Sequence, residues 1–273
     1  MTTVTPTPAR PPVNAKADRH FVTALARGLD VLSAFRPRDR MLGNQELARR
    51  SGLPKSTISR LTYTLTKLGY LEHAKDVTGA AGYRLGSAVL ALGSTMLARI
   101  DMRAIARPLM QEVADQSQAM VSLGMRDRLS MIYVENCRSE SAVTLSLDVG
   151  SRIPVATTAM GRAYLAMCTE SERNDLLAKV RARQPEQWPQ IETGVARALE
   201  EYERLGCCTS FGDWQKDVNA IAVAFRPPAG RAVMAINCGG PRFKLAPEYL
   251  LAEVRPHLVE LRDRLQHAGA IVT

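Results

Sequence analysis

Apolar residues recur at helical spacing once the chain leaves its first twenty residues. Leu25, Leu29, Leu32 and Phe35 fall four, three and three apart, on one face of a helix that begins near Phe21 and ends at Arg36-Pro37-Arg38-Asp39. A second short helix is expected over residues 44–50, with Asn44 as its N-cap and Leu47 and Ala48 facing inward. The next break, Ser51-Gly52-Leu53-Pro54, offers a glycine for positive φ at a helix end and a proline for the first position of the following helix. That third helix runs to about Leu68 and buries Ile58, Leu61, Leu65 and Leu68. Its opposite face carries Ser56, Ser59, Arg60, Tyr63 and Lys67, each a hydrogen-bond donor or a positive charge. Beyond Gly69, short runs at 70–74 and 82–85 flank a turn and predict a hairpin. Val89, Leu92, Met96 and Ile100 then return to helical spacing over 86–100.

The remaining chain mixes the two periods. Strand-like runs occupy 119–125, 129–134, 143–147, 220–225 and 232–238, and helical ones 161–167, 171–183, 192–205 and 247–266. Arg107-Pro108 and Arg255-Pro256 read as two helix starts. Strands and helices do not alternate one for one, so an α+β fold with a largely antiparallel sheet is expected, not a doubly wound one. No internal repeat is visible. Residues 1–19, with four prolines and few large apolar side chains, read as a disordered tail.

Composition narrows the function. A chain of 273 residues, 46% hydrophobic and 23% charged, is ordinary for a soluble protein of about two domains. Residues 1–100 hold 15 of the 36 Lys+Arg but 6 of the 27 Asp+Glu, so the whole net charge of +9 lies in the first third. That asymmetry points to a polyanion-binding part joined to a neutral part. No apolar run approaches the ~18–20 residues of a membrane span, and the N-terminus has no apolar leader core. Five unpatterned cysteines argue against a disulfide scaffold and for the cytoplasm. The four histidines are scattered and neither Cys-x-x-Cys nor His-Glu-x-x-His occurs, so no catalytic group, cofactor or metal is expected.

A helix, a glycine-containing turn and a second helix with a polar outer face are the parts of a helix-turn-helix, and the hairpin makes it winged. The second helix of such a pair enters the major groove. Arg60 then pairs with guanine, Ser56, Thr57, Ser59 and Tyr63 reach bases or phosphates, and Lys55, Lys67, Lys75 and Arg84 neutralise phosphate charge. Vicinal Cys207-Cys208 provides an alternative, a redox-switched regulator. A winged helix used for protein contacts is a third reading, separable by its small salt dependence.

The runs Ala26-Arg27-Gly28-Leu29-Asp30-Val31-Leu32, Glu46-Leu47-Ala48-Arg49-Arg50-Ser51-Gly52-Leu53-Pro54-Lys55-Ser56-Thr57 and Leu68-Gly69-Tyr70-Leu71 resemble the DNA-binding domain of IclR-type transcriptional regulators. The likeness continues through Tyr83-Arg84-Leu85-Gly86, Gly150-Ser151-Arg152-Ile153-Pro154, Thr158-Ala159-Met160-Gly161-Arg162-Ala163, Val218-Asn219-Ala220-Ile221-Ala222 and Gly239-Gly240-Pro241. It implies a two-domain α+β chain: a winged helix-turn-helix over 20–85, a linker helix over 86–101 and, over 102–273, an α/β ligand-sensing, GAF-like domain with a mainly antiparallel sheet. Proteins of that type are homodimers or homotetramers on palindromic or near-palindromic double-stranded operators, with no membrane association, and respond to small organic effectors, often carboxylates. Carried onto this chain, the effector-binding positions are Leu145, Ile153, Ala159, Met160, Asp213, Ala220, Asn237 and Gly239. Asn237-Cys238-Gly239 departs from the hydroxyl side chains common in such proteins, and Trp214 stands beside the expected pocket.

Overall fold

The computed structural model describes residues 20–36, 39–140, 147–227 and 232–268. The expected tail, Leu145 and most of the strand expected over 143–147 lie outside the described residues. Two compact units divide between Arg99 and Ile100.

In the first unit, α1 (Thr23–Ser33), α2 (Asn44–Ser51) and α3 (Lys55–Lys67) precede an antiparallel hairpin of β1 (Leu71–Lys75) and β2 (Ala81–Leu85), followed by α4 (Ser87–Ala98). Val31, Leu42, Leu47, Ile58 and Leu71 form its core. Gly52 ends α2 at φ +70°, a left-handed conformation that suits glycine, and its N–H closes on the Ala48 carbonyl at 2.9 Å. Pro54 sits one position earlier than expected, as the N-cap of α3. Asn44 is not a cap: Gly43 holds that position, and the Asn44 amide instead donates to Ser59 Oγ at 3.4 Å. Arg50 ties α2 to the end of α1 by donating to Ala34 O at 3.0 Å and pairing with Asp39 and Glu46 at 2.5 Å each. In the turn, Asp76 Oδ1 accepts from the N–H groups of Thr78 and Ala80, at 2.8 and 2.9 Å.

Two expected stripes are redrawn. On α3, Thr62 is buried and Leu68 exposed; Thr62 hides its hydroxyl by donating to Ile58 O at 2.9 Å. On α1, only the C-terminal half packs, through Val31, Leu32 and Phe35, so Leu25 and Leu29 remain 63% and 42% exposed. This small core is filled before α1 has buried its whole apolar face.

The second unit contains α5 (Asp101–Ser117), β3 (Met120–Asp127), β4 (Ser130–Arg138), β5 (Arg152–Pro154), α6 (Ala159–Met167), α7 (Glu170–Arg183) and α8 (Trp188–Leu205). After these come β6 (Cys208–Phe211), β7 (Val218–Phe225), β8 (Met234–Pro241), α9 (Pro247–Tyr249), a π turn (Leu250–Val254) and α10 (Arg255–Ala268). The strands form one sheet in the order β5-β4-β3-β8-β7-β6, antiparallel at every pairing. Helices α5 and α10 pack on one face, α6 and α8 on the other.

β7 explains the two faces. Side chains alternate across a strand, and Ala220, Ala222 and Ala224 turn toward the α6 side while Ile221, Val223 and Phe225 turn away. The pairings of Ala220 with Gly239, Ala222 with Asn237 and Ala224 with Ala235 extend this small-residue face across β8, and Gly124 and Ser122 carry it into β3. The opposite face holds large aliphatics such as Val121, Leu123 and Ile236. The sheet is therefore thick on one side and shallow on the other.

Of the two Arg-Pro pairs, Arg255-Pro256 opens α10 as expected and Arg107-Pro108 does not begin a helix. Pro108 lies inside α5, which starts at Asp101 and is fastened by buried Met102, Ala106 and Met110; packing outweighs the one hydrogen bond that proline forgoes. Pro256 is the second residue of α10, a first-turn position at which a helix needs no N–H from it.

Candidate functional site

Helix α3 presents Lys55, Ser56, Ser59, Arg60, Tyr63 and Lys67 to solvent, with Thr57 half-buried and Lys75 exposed at the end of β1. Their commitments differ. Ser59 Oγ donates to Lys55 O at 3.1 Å and accepts from Asn44. Arg84 pairs with Glu72 across the hairpin at 2.8 Å, which offsets its charge toward a phosphate. Lys67 Nζ lies 5.6 Å from the centre of the Tyr63 ring. No carboxylate pairs with Arg60 among the described residues, so its planar donor fork is available to a partner.

Six of the eight expected effector positions, Ile153, Ala159, Met160, Ala220, Asn237 and Gly239, line one cavity between α6 and the shallow face of the sheet. Met120, Tyr133, Ser210 and Trp214 complete most of its wall. Leu145 is outside the described residues, and Asp213 does not line the cavity. The Asp213 carboxylate is instead clamped between Arg162 at 2.5 Å and Arg197 at 2.6 Å. Arg162 is 2% exposed and also donates to the carbonyls of Thr209 and Ala156, at 2.9 and 3.3 Å. A buried guanidinium is tolerable only when paired and hydrogen-bonded in this way. Gly194 makes its passage possible, since a Cβ there would stand 2.3 Å from Arg162 Nη2. The clamp fixes the turn that carries Trp214, which a second bond from Gly212 N–H to Val218 O closes at 2.9 Å.

Thr158 caps α6, accepting from the Gly161 N–H at 3.2 Å and donating to Pro154 O at 2.7 Å. The N–H groups of Ala159 and Met160, in the first turn, have no carbonyl within the helix to bond. Both residues line the cavity, and the positive end of the helix dipole lies there with them. The Met160 thioether rests on Gly124, where a Cβ would come within 2.5 Å of its sulfur. The space open to the centre of a water molecule is ≈ 20 Å³, room for about one or two waters. Burial pushes the Tyr133 phenol up to about 12, against the opposing pull of Asn237 and Ser122 beside it. Two buried atoms here, Asn237 Oδ1 and Trp214 Nε1, lack a hydrogen-bond partner in the protein.

The sequence model of the IclR helix-turn-helix domain matches residues 24–75, and that of the bacterial transcriptional regulator IclR C-terminal domain matches residues 94–265. This chain belongs to the IclR family of transcriptional regulators. It is 33% identical over 248 residues to the HTH-type transcriptional regulator TsaQ1/TsaQ2 of Comamonas testosteroni, covering 90% of this chain and 88% of that one. It is 27% identical over 253 residues to the Pca regulon regulatory protein of Pseudomonas putida, covering 86% and 85%. A solved IclR family transcriptional regulator from Brucella abortus aligns at a TM-score of 0.79 and 45% identity, covering 92% of this chain and 94% of that chain. IclR-family proteins are regulators and not enzymes, and the mixed helical and antiparallel-sheet fold of this member is that of the family.

In this IclR-family chain the surroundings of Cys207 and Cys208 do not favour the redox alternative. Cys207 and Cys208 are both buried; burial pushes the Cys207 thiol up to about 11 and the Cys208 thiol well above its ordinary value. Neither supplies the exposed thiolate that oxidant sensing needs. Among the described residues no cluster of His, Cys, Asp or Glu is arranged to hold a metal ion, and no helix is long and apolar enough to cross a membrane. Sequence reading did not place Met120, Tyr133, Thr158, Ser210 and Val218 on the cavity wall, nor Ser122 beside Asn237. For Met120 and Ser122 the signal is the strand register: Met120 faces Gly239 and Ser122 faces Asn237, two positions the motifs had already marked.

Proposed function

We propose that this IclR-family regulator binds a palindromic or near-palindromic DNA operator as a homodimer, alone or doubled into a tetramer. A small organic carboxylate held at the start of α6 changes its promoter occupancy or output. The observation that carries the effector reading is that Ala159 and Met160, whose first-turn N–H groups have no carbonyl within the helix to bond, line a cavity backed by the small residues of β7 and β8. Such groups favour an anion, and the apolar wall favours a carbon skeleton behind it. Ile153, Ala220, Asn237 and Gly239 form that wall, Asp213 acts on it through the Trp214 turn, and Leu145 is retained as a further contact.

On the DNA side, Arg60 reads a base, Ser56, Thr57, Ser59 and Tyr63 contact bases or backbone, and Lys55, Lys67, Lys75 and Arg84 meet phosphates. The dimer reading rests on α4. Its sequence, SAVLALGSTMLA, is apolar all round, yet none of its residues is buried in the unit. Leu90, Leu92 and Met96 stay exposed on it, as do Val22, Leu25 and Leu29 around α1. Helices of that composition are normally covered, and a second copy covers them here. A regulator of bacterial DNA acts in the cytoplasm.

Selection of bound duplexes from a randomised DNA pool, followed by anisotropy with and without pooled carboxylates, tests the reading. Recovery of an inverted repeat whose affinity shifts with a carboxylate supports it. Enrichment of asymmetric single sites, or indifference to every carboxylate at saturating concentration, rejects the dimer or the effector half respectively.

A further inference from the structure

Tyr133 and Glu135 stand two residues apart on β4, a spacing that puts side chains on the same face of a regular strand. Here they face opposite ways. Leu123 pairs with Glu135 and Gly124 with Tyr133, so Val134 is an extra residue between them, a β-bulge. Tyr133 therefore lines the cavity on the shallow face, while Glu135 turns to the side covered by α5. The Glu135 side chain is 6% exposed, and its carboxylate accepts from Arg107 at 2.8 Å, Arg103 at 3.1 Å and the Asn136 N–H at 3.0 Å. A buried carboxylate persists only with such partners. The bulge thus joins the cavity wall to an ion-paired grip on α5.

Both arginines lie before Pro108 and just after the division between the units at Ile100. Pro108 has no N–H to give the carbonyl of Ala104, so helix hydrogen bonding is interrupted where these first turns meet the rest of α5. Around and beyond the proline, α5 is tied to the same strand by Cys137, whose thiol donates to Arg107 O at 3.4 Å, and by Gln111, which donates to Arg138 O at 2.9 Å. Arg103 Nε is buried without a partner, so the grip on the first turn is incomplete. We propose that Glu135 is the positioning residue through which the cavity controls α5. A change at Tyr133 passes through the bulge to Glu135, and from its two arginines to the helical turns that follow the first unit along the chain. This rests on the effector reading above and adds the route by which occupancy of the cavity reaches the DNA-binding unit. A bulge suits that task because the ladder is already broken there while the strand on either side stays paired.

The test uses the full chain and adds no effector. Tyr133→Leu alters the cavity face of the bulge, and Arg107→Gln weakens the grip at a side chain that is 62% exposed, where its loss leaves the fold intact. Each should speed amide exchange over residues 101–107 and leave residues 109–117 as in the wild type. Operator affinity, by anisotropy on the selected duplex, should change about fivefold or more in either variant. The double variant should change little beyond Arg107→Gln alone, because both substitutions break one route. Glu135→Gln should match Arg107→Gln in both readouts, and Arg107→Lys, which keeps a charge beside Glu135, should restore the wild-type values. Arg264→Gln breaks a different ion pair of α5, with Glu112 beyond Pro108, and should leave operator affinity unchanged. A merely structural pair would lower the melting temperature without coupling to Tyr133. Additive effects of Tyr133→Leu and Arg107→Gln, exchange that changes alike along all of α5, or an operator affinity indifferent to both overturns the proposal. A chain indifferent to every carboxylate but coupled in this cycle loses the effector reading and keeps the relay. A chain that answers a carboxylate but gives an additive cycle keeps the effector and loses the relay.

Discussion

Arg162 owes its buried position to a residue that is not there: the side chain Gly194 lacks. Gly194→Ala pushes a methyl group against the guanidinium and is expected to destabilise the second unit by about 1–3 kcal/mol, read as a lower melting temperature with Trp188 and Trp214 as internal reporters. An unchanged melting temperature would mean that Arg162 has another route to Asp213. Arg60 behaves differently because it is exposed and makes no ion pair among the described residues. Arg60→Ala should leave stability unchanged and reduce discrimination among operator variants by ~1–3 kcal/mol; an equal loss on every sequence would make it a phosphate contact. Glu46 supplies a pH dependence. Hydrogen bonds from Arg49 and Arg50 hold its carboxyl at about 2, below the ordinary 4.5. The sign follows from linkage: stabilisation of the first unit is full above about pH 4.5 and is lost as pH falls toward 2. Glu46→Gln should flatten that stretch of the stability curve, measured by amide exchange in α2.

At the scale of elements, α4 makes the sharpest demand. A helix with no buried residue and an apolar surface on every side needs a cover, and Leu92→Asp combined with Leu25→Asp should shift the chain from dimer to monomer in sedimentation. Persistence of the dimer would assign the contact to the second unit. Elements with local signals were legible in the sequence. Gly52 and Pro54 marked the turn before α3, and the alternation of Ala with Ile, Val and Phe marked β7. Elements defined by distant partners were not. β5 and β6 have three and four residues, too few to establish a period, and exist because β4 and β7 pair with them. α5 was hidden by Pro108, whose local cost is outweighed by burial on the sheet. The cavity was legible where motifs lay on its rim, at Ala159, Met160, Asn237 and Gly239, and illegible at Tyr133, which is brought there only by sheet register.

At the scale of the whole molecule, the charge asymmetry predicts how DNA binding responds to salt. Of the proposed phosphate contacts, Lys55, Lys67 and Lys75 are exposed and free of ion pairs among the described residues, while Arg84 is offset by Glu72, which leaves six unpaired cations in the proposed dimer. Neutralising six phosphates gives a slope of about −5 in log affinity against log salt. Replacing one of these lysines by glutamine should reduce the slope by about 2, since both copies change. A slope near zero would instead favour the protein-contact reading of the winged helix. The second unit, neutral in sum, contributes nothing to this field and leaves it to the first.

The narrowness of the cavity has a kinetic consequence. With ≈ 20 Å³ open to the centre of a water molecule, the proposed effector, if it has even a few carbons, would need the Met160 thioether to leave Gly124 or the Trp214 turn to yield. On that reading, entry should be governed by how often the wall opens and not by how often molecules collide with it. In stopped flow, the observed rate should level off as effector concentration rises, at a ceiling set by the protein. Loosening the Asp213 clamp with Arg197→Gln should raise that ceiling, which would make the regulator's response time a property of side chains in the second unit.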